Sequence, residues 1–131
     1  MKREIKFRGK CSHCDAWAYG SLVDFGEDEA PEIHGFDPYK VGEEEWREIT
    51  VDRYTVGQYT WLTDKNGREI WEGDIIECGR NRYVCEFVEG GFEFRDLSDG
   101  RLILKAIVLH AHIIGNIHDN PELLEKTKKI P

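Results

Sequence analysis

The sequence predicts a mainly β protein: an N-terminal β-hairpin or meander subdomain, then an SH3-like small β-barrel, then a short C-terminal helix. Three observations predict it. Short runs rich in branched and aromatic residues recur along the 131 residues. Turn-forming "NG", "GG" and "SDG" separate them, rather than the long amphipathic stretches that would link parallel strands. Only the segment from Asn120 to Lys129 changes to a helical period.

The first two runs, "REIKFRGK" and "AWAYGSLVDF", are joined by "CSHCD" and read as a hairpin. From Gly26 to Gly42 the chain is rich in glycine, proline and acid without a sustained period, and a long exposed excursion is expected there. A strand is expected from about Trp46, leading into the β-prone "YTVGQYTWL". In "TDKNGREIWEGDII", Asn66-Gly67 signals a two-residue type I′ hairpin, with a second bend at Gly73-Asp74. The strands "IWEGDIIEC", "RYVCEFVEG", "FEFRDL" and "RLILKAIVLHAHII" follow. In "NPELLEKTKK", Asn120 can cap a helix, Pro121 suits its first position, and the late lysines suit its C-terminal end. Residues 1–61 are thus expected to form the N-terminal β subdomain, with an acidic variable loop at about 26–45. Residues 62–131 are expected to form the small barrel with its helix, beside the first or as one compact unit with it.

The net charge of −8 is unevenly placed. Eleven acidic residues lie between Asp24 and Asp52 against Lys40 and Arg47, so the rest of the chain is close to neutral. Such an insert opposes non-specific binding to polyanions, yet leaves room for a basic patch of Lys2, Arg3, Lys6, Arg8 and Lys10. Lysine and arginine on exposed strand faces give the same pattern. No apolar run approaches the ~20 residues that span a bilayer, and the basic N-terminus lacks an apolar signal stretch, so a cytoplasmic location is expected.

Several clusters could carry chemistry. Cys11-Ser12-His13-Cys14 places two thiols where one zinc could hold both or where a redox pair could form, but Cys78 and Cys85 are not spaced as a second pair and no βαβ context accompanies the motif, so an incidental polar turn is the favoured reading. Those two read as small apolar side chains on adjacent strands. His110-Ala111-His112 would put two imidazoles on one face of a strand, a possible metal pair with no specified third ligand. Asp64, Glu69, Glu72 and Asp74 crowd one stretch, yet alternation need not make them converge. The chain has no nucleophile elbow and no phosphate-cradling glycine loop. No catalytic, cofactor-binding or metal residue is therefore assigned, and no cofactor is expected.

"TVGQYTWLTDKNGREIWEGDII", "IIGNIHDNPELL", "REIKFRGK" and "WAYGSLV" together resemble the YopX family of phage and prophage proteins, in the same order along the chain. The resemblance is weakest from Gly26 to Glu45, and at Trp61, where a small residue such as glycine would be expected. It implies a β-dominated fold and a phage-borne gene, and it supplies no catalytic residue. The function expected is a non-enzymatic accessory protein that binds a host or phage macromolecule, a protein partner being favoured. Its candidate contact residues are Trp17, Tyr19, Tyr59, Trp61 and Trp71, because exposed aromatics give contact area at low entropic cost. The alternatives are nucleic-acid binding by the basic N-terminal hairpin, or a metal-dependent enzyme using His110 and His112.

Overall fold

Among the described residues the chain forms eleven short strands, rich in branched and aromatic residues. The computed structural model describes residues 5–36, 46–103 and 105–125. The chain divides into two units, Met1–Tyr59 and Thr60–Pro131. Among the described residues no helix is long and apolar enough to cross a membrane.

In the first unit β1 (Phe7–Lys10) pairs with β2 (Trp17–Val23), β2 with β3 (Glu32–Phe36) and β3 with β4 (Trp46–Thr50), all antiparallel. The other edge of β1 pairs with the start of β5 (Gly57–Thr63). One sheet face is apolar: Ala18, Ile33 and Val51 are buried, with Phe7, Leu22, Ile49 and Val56 packed against them. Burying each large side chain of this kind contributes about 1.5–3 kcal/mol. Part of the expected excursion is therefore a strand. Ile33 is completely buried, and that single anchor fixes the register of β3 between its neighbours. The acidic segment before β3 is pinned by Arg53, whose guanidinium donates to both oxygens of Asp24 (2.9 and 3.1 Å) and to the carbonyls of Gly26 and Glu29. Hydrogen bonding from Arg53 holds the Asp24 carboxyl below its ordinary pKa.

In the second unit the five strands lie in the order β10-β9-β8-β7-β11: Leu102–Ile103, Gly91–Asp96, Asn81–Val88, Asp74–Cys78 and His112–Asn116. β6 (Glu69–Trp71) lies outside this sheet. Ile70, Ile76, Tyr83, Cys85, Phe94, Val108 and Ala111 form its core. The expected SH3-like closure does not occur, since among the described residues no ladder joins β10 to β11 and the sheet stays open. The run "RLILKAIVLHAHII" is likewise not one strand. A two-residue β10 gives way to a 3-10 segment, Lys105–His110, before β11. That segment buries Val108, and its spacing of three brings the end of the chain back to β7.

The expected C-terminal helix is reduced to one 3-10 turn, Pro121–Leu124, and the lysines invoked for its end lie outside the described residues. Asn120 makes no side-chain cap there; its Oδ1 instead accepts from the Asn116 N–H at 3.2 Å. Asn116 is the organising residue of "GNIHDNPELL": its Oδ1 accepts from the N–H groups of His118 and Asp119, and its Nδ2 donates to Asp119.

Candidate functional site

Because side chains alternate, the residues of the first sheet that do not enter its core share the opposite face. Register places Arg8 beside Tyr19 and Lys10 beside Trp17, while the Tyr59 N–H donates to the Lys6 carbonyl. The cations then lie over the rings. The Arg8 guanidinium carbon is 4.5 Å from the Trp17 ring centroid and Lys10 Nζ is 5.8 Å from it, while Lys6 Nζ is 4.8 Å from the Tyr59 centroid. Such stacking contributes roughly 0.5–2 kcal/mol per pair, more as water is excluded, and it fixes long side chains in one orientation. Tyr19 is 41% exposed, Trp17 half-buried, and Arg8 and Tyr59 are buried at 6% and 8%. Three of the five expected contact residues, Trp17, Tyr19 and Tyr59, thus lie with the described part of the basic patch on one face.

The same face continues onto β3 and β4 with polar groups. Glu32, His34 and Glu48 bring ligand atoms within 4.8 Å of one another. Within this group His34 Nε2 and Glu32 Oε1 are hydrogen-bonded at 3.1 Å. Sequence reading gave His34 no role, because the partner strands that bring Glu48 opposite it could not be identified without the β3 register.

The other two expected contact residues belong to the second unit. Trp71 is 4% exposed and serves as core, its backbone N–H donating to Asp74 Oδ2 at 2.7 Å. Trp61 is 37% exposed and has φ 63°, a left-handed conformation that disfavours any Cβ. That conformation explains why a glycine-like residue is expected there. Trp61→Gly relieves that strain but removes a ring that is only 37% exposed and loosens the unfolded chain, so stability should fall by about 1 kcal/mol, read as a shift of the urea midpoint; a higher midpoint would show that the backbone strain outweighs ring packing.

The carboxylate-rich stretch proves to be turn scaffolding. Asp64 is 4% exposed and accepts three backbone N–H groups: Asn66 and Arg68 on Oδ1, Ile113 on Oδ2, each at 2.9 Å. Burial disfavours its charge, but these hydrogen bonds outweigh it and hold the carboxyl below its ordinary pKa. The turn is not type I′. Of Asn66 and Gly67 only Gly67 has positive φ (79°), with its N–H bonded to the Asp64 carbonyl and Asp64 N–H bonded to the Arg68 carbonyl. This is the type I turn with a left-handed glycine that bulges the hairpin. The second bend falls at Glu72-Gly73, one residue earlier than expected.

The two histidines do not form the expected pair, since His110 ends the 3-10 segment and only His112 lies in β11. His112 Nε2 is 3.9 Å from Glu77, whose other oxygen accepts from Arg82 Nε. Cys85 is buried and Cys78 half-buried in the second core, whereas Cys11 and Cys14 line a polar cleft of roughly 380 Å³ in the first unit, with Lys10, His13, Asp15 and Asp52. Among the described residues no cysteine belongs to a group of three converging metal ligands.

A family model described as "YopX protein" matches residues 6–125. The crystal structure of protein EF1440 from Enterococcus faecalis is similar to this chain with a TM-score of 0.58 and 23% identity, covering 95% of this chain and 100% of that one. That likeness concerns the fold alone. No curated protein matches the chain.

Proposed function

The chain belongs to the YopX family over residues 6–125, and from that premise we propose that it is a non-enzymatic phage or prophage accessory protein that binds a protein partner through the cation-aromatic face of its first sheet. The observation that carries this reading is the stacking of Arg8 and Lys10 on Trp17 and of Lys6 on Tyr59, with exposed Tyr19 on the same face. Tryptophan, tyrosine and arginine dominate binding hot spots, and rings and cations already held in place lose less entropy on association.

The test is affinity capture from the bacterial host with the wild-type chain and with Trp17→Ala and Tyr19→Ala variants, both checked for cooperative unfolding. Trp17→Ala is expected to weaken capture of the specific partner by about 2 kcal/mol, roughly thirtyfold. Equal capture by the wild type and both variants would remove this face from the function.

The same cations favour a second reading, in which Lys6 and Lys10 contact phosphates and the rings stack on bases of a single strand. That reading requires affinity for an oligonucleotide that falls steeply with salt. The acidic segment between Asp24 and Asp52 places it second, and no binding at low salt would exclude it.

A further inference from the structure

We propose that Cys11 and Cys14, at the β1–β2 turn, form a thiol–disulfide exchange site whose substrate class is a small disulfide. The turn fixes one thiol and presents the other. The Cys11 N–H donates to the Ala16 carbonyl at 2.9 Å, the Ser12 N–H to the Thr50 carbonyl at 3.0 Å, and Cys11 forms a β-bridge with Val51. Cys14 is exposed at the turn, and both sulfurs are free thiols lining the same open cleft. Only Ser12 and His13 separate them in the chain, and a hydrogen bond with Cys11 raises the Cys14 pKa. The cleft, open to solvent and roughly 380 Å³, has room for a small disulfide.

The exposed Cys14 is the attacking thiol. Once a solvent base removes its proton, it attacks one sulfur of RS–SR; the Cys14–SR bond forms, the RS–SR bond breaks, and the departing thiolate takes up a proton. Cys11 then loses its proton and attacks the Cys14 sulfur. The Cys11–Cys14 bond forms and the second RS⁻ leaves as RSH. Overall the protein gives up two electrons and two protons, and one disulfide becomes two thiols. The raised Cys14 pKa makes the first step slow at neutral pH and faster as pH rises through the thiol range. Cys78 and Cys85, inside the second core, take no part.

The test treats the full chain with oxidised glutathione, quenches with acid, alkylates after denaturation, and maps the peptides. The expected result is loss of two of the four free thiols, an internal Cys11–Cys14 bond, and full recovery of four thiols with dithiothreitol. Cys11→Ser should trap glutathione on Cys14. Cys14→Ser should slow glutathione consumption by at least about tenfold, because the partly buried Cys11 then has to attack unaided. Alkylation of all four cysteines after treatment, or a stable glutathione adduct on wild-type Cys14, would overturn the proposal.

Discussion

Asp64→Ala is expected to lower stability by about 3 kcal/mol, because it strips three backbone N–H groups of their acceptor in a site that is almost closed to water. The three donors come from two distant places, the turn at Asn66 and Arg68 and the strand position Ile113. The substitution therefore loosens a hairpin and releases β11 from it. Asp64→Asn retains one acceptor oxygen and should lose less. The carboxylate also gives the fold an acid limit. Its folded pKa is depressed, so the stability it contributes is complete above the unfolded value of about 4 and is lost as pH falls through the lower, folded value. Urea titrations at pH 7 and at pH 3 check both points. The Ala variant should show a much lower midpoint than wild type at neutral pH, with the gap narrowing in acid; equal midpoints would show that water replaces the carboxylate at no cost.

Gly20→Ala is expected to cost as much, about 3 kcal/mol, through a steric conflict that side-chain adjustment cannot relieve. A Cβ at Gly20 would lie 2.2 Å from the His34 carbonyl oxygen, and one at Gly35 would lie 2.3 Å from the Tyr19 carbonyl oxygen. Both obstacles are backbone atoms of the facing strand. β2 and β3 can therefore stay paired only by moving apart, which would disturb Ser21 opposite His34 and Leu22 opposite Ile33. Urea unfolding of Gly20→Ala and Gly35→Ala measures the effect. Wild-type midpoints in both would mean that the two strands approach less closely than these distances state.

Much of this architecture is legible in the residues, for reasons that also mark where reading stops. The β class follows from branched and aromatic runs between turn residues, and the hairpin of β1 and β2 follows from two such runs flanking a polar connection. β3 is hidden because only Ile33 reports its buried side, while glycine, histidine and acid around it imitate a loop. The run after Arg101 misleads in the opposite way: a six-residue 3-10 segment that buries only Val108 differs little from a strand in an apolar sequence. Helical capping at Asn120 fails because the side chain finds a nearer backbone donor at Asn116.

The candidate site divides along the same line. Trp17 and Tyr19 share a face by alternation, which is local, so sequence alone pairs them. That Tyr59 joins them, and that Arg8 stacks on Trp17, depends on the register of β1 with β2 and β5, a non-local property. Trp71 looked equivalent to the others because composition does not distinguish a buried indole from an exposed one. The carboxylates of "TDKNGREIWEGDII" illustrate the converse. A dense set of acids suggested chemistry, yet the two buried ones, Asp64 and Asp74, are occupied by backbone N–H groups.

The most direct test of the proposed contact face is amide hydrogen exchange of the chain with and without its captured protein partner. The account predicts added protection in β1 and β2, from Phe7 to Lys10 and from Trp17 to Val23, with little change in the hairpin from Asn81 to Asp96. Unchanged exchange in β1 and β2, with protection confined to the second unit, would contradict it.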